Sequence, residues 1–232
     1  MFVIVCNPVF SQISSVDKTV APDFYEFGLD IGITSFFGDI DEGPAQGELI
    51  PNNLAFKFHA GRNFAHLLTI NGQLIIGGMS GEKIRDNTSV YFIGDFIEYT
   101  FGLGFNTVAL FKKNLNNMFA LYLNFGVGLI DIKTTLYDGN TGEVIKTYGI
   151  DGATTELVIP LGGAFIYNIS RNSAITFQST LSMVNTDKID GLEGNDNRDY
   201  YNFTSIGYVY KLVSNKRRPI GRKNASSGRR KK

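Results

Sequence analysis

The side chains best suited to acid–base chemistry are the two histidines, His59 and His66. Acyl-transfer and hydrolytic enzymes need a histidine base beside a nucleophile, with both groups facing one substrate. The two histidines instead flank a single short predicted turn at residues 62–65, and no other histidine can serve as a base. The sequence therefore predicts a protein that is not an enzyme and that uses no cofactor and no metal ion.

Ionisable side chains also recur on the polar faces of several predicted strands. Charges in a narrow interior are costly unless each one is paired. Lys57 lies on the strand next to Asp30 and Glu26, so we expect an ion pair there. We interpret the group as a polar network that rigidifies the interior, with a narrow pore for small solutes as the alternative. Its members are Glu26, Asp30, Lys57, His59, Glu98 and Glu156.

Two acidic segments, residues 137–143 and 190–196, superficially resemble calcium-binding loops. Neither contains the full twelve-residue pattern that ends in a bidentate glutamate. The letters DGNTG in the first segment are more typical of a hairpin turn. We therefore interpret the acidic loops as solvated segments rather than as metal sites.

The stretch YEFGLDIGITSFFGDI at residues 25–40 shows how such side chains are positioned. Tyr25 and Leu29 share one parity with other apolar residues, whereas Glu26 and Asp30 share the other parity with glycines. A period of two predicts a strand with one apolar face and one polar face. Seven further segments repeat the pattern, at residues 52–61, 67–76, 96–108, 118–130, 156–167, 174–184 and 202–212.

The connections between these eight predicted strands alternate between short and long. Outer-membrane barrels have this alternation, with short periplasmic turns and longer external loops, and eight strands make the smallest closed up-and-down barrel. The predicted short connections are 62–65, 112–117 and 168–172, and the long ones are 39–51, 79–90, 135–153 and 186–199.

The composition of the polar faces decides which side of the strands is inside. These faces are rich in Gly, Asn, Thr and Ser rather than in Lys and Glu, which fits a narrow lumen better than a solvent-exposed face. The sequence therefore predicts an all-β fold, an eight-stranded antiparallel up-and-down transmembrane β-barrel. A soluble lipocalin-like ligand-binding barrel with an apolar interior is the alternative.

Charge divides the chain into parts, although its net charge is zero. Residues 211–232 carry ten Lys or Arg and no acid, which leaves 12 basic and 22 acidic residues in 1–210. We predict a signal peptide remnant at 1–12, which contains the only cysteine, the barrel at 13–212, and a disordered basic periplasmic tail at 213–232. The basic residues of the tail are Lys216, Arg217, Arg218, Arg222, Lys223, Arg229, Arg230, Lys231 and Lys232.

Several strand segments resemble the small outer-membrane barrels of Bacteroidetes, within the superfamily of OmpA- and OmpX-like barrels. They are YEFGLDIGITSFFGDI, FIEYTFGLGF, LYLNFGVGLIDI, IPLGGAFIYNISRNSAITFQ and NDNRDYYNFTSIGYVYKL, which together span about residues 25–212. The chain is most similar to the small barrel family associated with type IX secretion and gliding. The resemblance implies a barrel that anchors a periplasmic complex to the outer membrane.

These features lead to a functional hypothesis: a non-enzymatic outer-membrane protein, with both termini periplasmic, that serves as a structural anchor or as a component of an envelope or secretion complex. Its expected partners are outer-membrane lipid, the barrel-assembly machinery and, through the tail, a periplasmic envelope-complex protein or peptidoglycan. Nucleic acid is not expected. The insertion signal is expected on the last strand, at Ile206, Tyr208, Tyr210 and Leu212.

Overall fold

Most of the described residues lie in strands, as the alternation of apolar and polar side chains predicts. The computed structural model describes residues 23–37, 53–64, 67–85, 88–111, 118–149, 154–186, 189 and 199–213. The elements are β1 Phe24–Phe37, β2 Leu54–Phe64, β3 Leu68–Arg85, β4 Thr88–Asn106, α1 Thr107–Phe111, β5 Phe119–Asp138, β6 Val144–Tyr148, β7 Thr154–Asn168, β8 Ser173–Val184 and β9 Tyr200–Val213.

Eight of these strands close into a ring. The strand order is β4-β3-β2-β1-β9-β8-β7-β5-β6, every pairing is antiparallel, and a pairing between β4 and β5 joins the two sides. β6 lies outside the ring, where it pairs with the last residues of β5. The prediction of an eight-stranded antiparallel up-and-down barrel is confirmed.

The register of the ring determines how steeply its strands tilt. A path followed from partner to partner around the barrel returns to β1 ten residues beyond its start. For eight strands, a stagger of this size corresponds to a tilt of about 40° from the barrel axis. The path runs through Phe24, Asn63, Thr69, Gly104, Asn124, Gly162, Thr180, Phe203 and Thr34.

The two ends of the barrel differ in their connections. The chain enters at Phe24 and leaves at Val213 at the same end, which also holds the connections β2–β3, β4–β5 and β7–β8. We call this the short-turn end and the opposite one the long-loop end. At the short-turn end β4 gives way to α1, because the Asn106 side-chain oxygen accepts the backbone N–H groups of Val108 and Ala109 at 3.1 and 3.2 Å.

Hydrophobic alternation changes phase within single strands. On β5 the apolar side chains from Phe119 to Leu129 point outward and are exposed. Beyond this point Ile130 and Ile132 point inward and are buried, while the outward positions are polar. The interior at the long-loop end is therefore an apolar core, made by Phe36, Ala55, Ile75, Met79, Phe92, Phe96, Ile130, Ile132, Leu136, Val158, Val184, Ile189, Tyr201 and Phe203.

The structure corrects three expectations from the sequence. The interior is polar in only one of its two halves, because the part of the barrel above the outer apolar belt packs inwardly like a soluble protein. Of the expected long loop at 79–90, residues 79–85 belong to β3 and residues 88–90 to β4, and the side chains of Met79 and Phe92 on these two strands are buried in the core. The expected loop at 135–153 likewise contains the end of β5 and the whole of β6.

The hairpin turn expected at DGNTG is confirmed. The carboxylate of Asp138 accepts the backbone N–H groups of Asn140 and Thr141 at 2.8 and 3.1 Å, and Gly142 has a φ of 71°. The carboxylate is therefore engaged in the turn itself. No helix in the described ranges is long and apolar enough to cross a membrane.

Candidate functional site

The polar half of the interior is organised around Asp30 on β1. In register, Asp30 lies between Lys57 of β2 and Gly207 of β9, and Gly207 in turn lies opposite Thr176 of β8. Lys57 Nζ is 3.4 Å from the Asp30 carboxylate, and both side chains are almost completely buried. Because Gly207 has no side chain, the Thr176 hydroxyl reaches across it and donates to Asp30 at 2.9 Å.

His59 gives the same carboxylate a further neighbour. Its Nδ1 atom lies 3.2 Å from Asp30 Oδ2, and the imidazole ring lies over Gly28, its register partner on β1. A β-carbon at Gly28 would fall 2.0 Å from the ring, so the absence of a side chain there makes room for the imidazole. The ion pair expected between Lys57 and Asp30 is thus part of a four-residue network with His59 and Thr176.

Tyr201 forms the boundary between the polar and apolar halves. Its hydroxyl donates to the carboxylate of Glu98 on β4, which lies on the opposite side of the lumen. The Tyr201 ring packs against Phe96 with centroids 5.2 Å apart. Glu98 and Tyr201 are both buried, at 1% and 0% exposed. The Tyr201 side chain therefore bonds to one oxygen of a buried carboxylate and closes the polar half of the interior from above.

Below this boundary the lumen holds a small cavity. It measures about 40 Å³ and is lined by Glu26, Lys57, His59 and Tyr122, among others. A cavity of this size has room for about three water molecules at most. Below the cavity the Asn63 amide donates to the Tyr122 hydroxyl, so the polar half of the interior continues to the short-turn end.

Glu26 and Glu156 lie inside the barrel but outside the four-residue network. Glu26 is half-buried and lines the cavity. Glu156 is half-buried in β7 opposite Ile130, at the level of the apolar core, and forms none of the ion pairs found among the described residues. Of the six expected members, the structure joins Asp30, Lys57 and His59 directly and places Glu98 above them.

Thr176 and Tyr201 are members of this site that the sequence reasoning did not identify. Both lie on the inward parity of their strands, opposite the apolar outward positions that were used to define β8 and β9. That parity was the available signal for an inward position. The partner that each one contacts depends on the stagger of the ring, which the sequence pattern does not contain.

Two basic side chains of the described residues lie in strands at the short-turn end. Arg62 belongs to β2 rather than to a turn, and its guanidinium is paired with Asp23 at 3.2 Å. Lys211 is half-buried, stacks over Phe24 at 5.3 Å and donates to Asn168. His66, the signal segment 1–12 and the tail from residue 214 lie outside the described residues.

The positions of the expected insertion signal form an outward row on β9. Ile206, Tyr208, Tyr210 and Leu212 are between 44% and 56% exposed, in line with the apolar belt. In the described ranges, no group of three or more His, Cys, Asp or Glu side chains could hold a metal ion. The arrangement inside the barrel places His59 and Thr176 against the same carboxylate of Asp30.

No protein-family model matches the chain, and no curated protein matches it by sequence. Among solved structures, Ail of Yersinia pestis in complex with the heparin analogue sucrose octasulfate is 14% identical, with a TM-score of 0.47, covering 83% of this chain and all of that one. Neisserial surface protein A is 10% identical, with a TM-score of 0.44 and coverage of 81% and 97%. A major outer membrane protein of Thermus thermophilus is 11% identical, with a TM-score of 0.46 and coverage of 81% and 99%. Identities and TM-scores this low carry no argument about the role of this chain.

Proposed function

We propose that this chain is a non-enzymatic outer-membrane barrel that acts as a structural anchor in an envelope or secretion complex. The apolar belt on its outer surface supports a membrane location. On β5 the belt consists of the alternate apolar residues from Phe119 to Leu129, which face outward and are exposed, over about 33 Å along the strand. At a tilt of about 40° this length spans about 25 Å, the height of the apolar band in outer-membrane barrels.

The filled interior is the observation that supports an anchor rather than a pore. The apolar core occupies the long-loop half of the lumen, and Tyr201 bonds to Glu98 across its base. Below, the side chains around Asp30 leave a cavity of about 40 Å³. A barrel filled in this way acts through the surfaces that it presents, not through solute passage.

Planar-bilayer recording of the full-length protein tests this role. We expect no steady conductance from the wild type, and none from the variant Lys57→Ala once its folding is verified by anomalous migration on unheated gels. A steady conductance that changes with Lys57→Ala would identify a pore and overturn the anchor role. Recovery in the soluble periplasm without detergent would overturn the membrane location.

The partner of the anchor is proposed to bind at the short-turn end, which we place in the periplasm with both termini. The tail carries nine Lys or Arg between residues 216 and 232 and follows β9, which ends at the short-turn end, where Arg171 of the β7–β8 turn is exposed. A basic surface of this kind attracts an acidic protein face or peptidoglycan, and salt screens that attraction within about 8 Å. A type IX secretion or gliding complex of Bacteroidetes is the partner class that the sequence resemblance favours.

Pull-downs with the full-length chain and with a chain truncated after Leu212 test this partner proposal at low and high salt. We expect the truncated barrel to insert normally but to lose a periplasmic envelope protein, and the full-length chain to lose that protein at high salt. Identical partners from both chains, or binding that is indifferent to salt, would overturn the role of the tail.

A further inference from the structure

A groove on the outer wall lies within the apolar belt. Its volume is about 740 Å³, within the range of small-molecule sites. Ala60 and Gly72, register partners on β2 and β3, form its floor, and a β-carbon at Gly72 would meet nothing within 4 Å. Phe27 and Phe101 follow on either side in the same row and are 50% and 59% exposed. The groove is therefore a depression between two projecting aromatic rings.

The register aligns this depression with the membrane normal. A step of two residues along a strand toward the long-loop end and one strand across departs from the strand direction by about 36°, close to the strand tilt of about 40°. That step leads from Arg62 on β2 to Gly72 on β3, and again from Gly72 to Tyr99 on β4. Each step covers about 8 Å, so the line from Arg62 to Tyr99 is about as long as half of a hydrocarbon core of about 30 Å.

Arg62 marks the end of this line that lies nearer the short-turn end. Its guanidinium carbon lies 5.5 Å from the centroid of the Tyr25 ring and 4.8 Å from that of Phe64, the last residue of β2. Asp23 accepts a hydrogen bond from one of its nitrogens at 3.2 Å. A guanidinium has five N–H donors in a planar fork that matches the geometry of a phosphate. Two rings thus hold the fork in place, and the carboxylate uses only part of it.

We propose that the groove binds one phospholipid of the periplasmic leaflet, an inference that rests on the membrane location and orientation proposed above. The phosphate accepts hydrogen bonds from Arg62, and one acyl chain lies over Ala60 and Gly72 as far as Tyr99. In an outer membrane, phospholipids form the periplasmic leaflet, which is the leaflet that the short-turn end faces. The proposal concerns the phosphate and the acyl chain, which phospholipids share, and not the remainder of the headgroup.

The direction of the groove favours a lipid over a second copy of the chain. Acyl chains run on average along the membrane normal, as the line from Arg62 to Tyr99 does. A neighbouring barrel in the same membrane would present rows of side chains along strands that are tilted by about 40°. The cation at one end of the line also complements an anionic phosphate, whereas the outward rows of a second barrel are apolar along the belt.

Native mass spectrometry of the full-length protein in detergent compares phosphatidylglycerol with diacylglycerol that carries the same acyl chains. We expect one phosphatidylglycerol to bind about tenfold more tightly than diacylglycerol, because hydrogen bonds to charged groups contribute about this much. Arg62→Gln should remove that difference. Gly72→Leu should weaken the binding of both lipids, because its side chain fills the groove.

Matched controls separate the groove from the rest of the surface. Arg171→Gln removes an exposed arginine at the same end of the barrel, and Gly163→Leu fills a glycine on β7 whose β-carbon would meet only the Tyr122 carbonyl oxygen, at 3.9 Å. Both variants should bind phosphatidylglycerol like the wild type. Asp23→Asn should strengthen that binding severalfold, because it removes a carboxylate that competes with the phosphate for Arg62.

Gel mobility without heating shows that each variant is folded, so that lost lipid binding is not confused with a lost barrel. Equal affinity for the two lipids, or binding that survives both Arg62→Gln and Gly72→Leu, would overturn the phospholipid site. A dimer of the chain that Gly72→Leu dissociates would overturn the lipid as the occupant of the groove. Each of these results would leave the membrane location intact, since that location depends on fractionation and not on lipid retention.

Discussion

At the scale of single residues, Asp30 is a buried carboxylate that depends on its neighbours for charge compensation. Its carboxylate is buried and is satisfied by Lys57, His59 and Thr176. Lys57→Met removes the cation and leaves a buried charge, so the free energy of unfolding should fall by about 3–5 kcal/mol. Urea titration of the barrel in lipid vesicles, followed by gel mobility, measures the loss.

The double variant Asp30→Asn with Lys57→Met is the control for that interpretation. It removes both charges together, so it should be more stable than the single variant Lys57→Met. If the loss of stability in the double variant, relative to the wild type, equals the sum of the losses in the two single variants, the two side chains do not interact.

Gly207 permits the contact between Asp30 and Thr176 because it has no side chain. A β-carbon there would lie 2.1 Å from Asp30 Oδ1 and 2.8 Å from the carbonyl oxygen of Leu29. Gly207→Ala should therefore destabilise the barrel by about 1–3 kcal/mol, since packed interiors resist added volume. Gly72→Ala is the matched control because it faces outward with nothing within 4 Å of its β-carbon, and it should unfold at the wild-type urea concentration.

The sequence predicted some contacts of the interior and missed others for a physical reason. Asp30 and Lys57 lie on consecutive strands, so their pairing followed from the strand order alone. Tyr201 and Glu98 meet across the lumen from β9 and β4. Their contact depends on the ten-residue stagger and on the length of the tyrosine side chain, and neither is expressed in the alternation of apolar residues.

At the scale of strands, β5 contains two regions whose outward faces meet different surroundings. Leu123 lies near the middle of the apolar belt, whereas Thr135 lies on the same face above the belt. Leu123→Lys should reduce stability in lipid by about 2–4 kcal/mol, because it places a charge in hydrocarbon. Thr135→Lys should change it by less than about 1 kcal/mol. Equal losses for the two variants in vesicle unfolding would contradict the position of the boundary.

The last strand offers a test of recognition by the assembly machinery. Tyr210 faces outward on β9 and lies directly opposite Phe27 on β1, at the same depth. Tyr210→Asp and Phe27→Asp should therefore have similar direct costs, on the order of 1 kcal/mol near the interface. We expect only Tyr210→Asp to abolish outer-membrane accumulation in cells. Comparable abundance of the two variants in the outer membrane would contradict an insertion signal on β9.

The eight strands of the ring were predictable, whereas their lengths and the short strand β6 were not. The segments below the boundary alternate in one phase, so 25–40 and 118–130 were identified without the structure. On β4, Val90, Phe92 and Phe96 face inward and are apolar, whereas the inward positions lower on the same strand are polar or glycine. An interpretation that assumed a single phase placed part of this region in a loop. The sequence pattern did not show at which residue of each strand the inward side chains change from polar to apolar.

At the scale of the whole molecule, the stagger of ten residues over eight strands makes a measurable prediction. The strands should be inclined by about 40° to the membrane normal. Polarised infrared spectroscopy of the full-length barrel in oriented bilayers reports this inclination from the dichroism of the amide bands. Strands that lie close to the normal would contradict the closed register, and isotropic dichroism would show that the barrel is not inserted.

The phase change on β5 has a consequence for the substitutions that the chain can accept during evolution. Leu129 faces outward and Ile130 faces inward, so adjacent residues on one strand are hydrophobic for opposite reasons. Before this peptide bond, the odd-numbered positions of β5 should accept only apolar substitutions. After it, the even-numbered positions should do so. A shift of one residue in the pattern of tolerated residues would then mark the upper edge of the apolar belt in any related sequence.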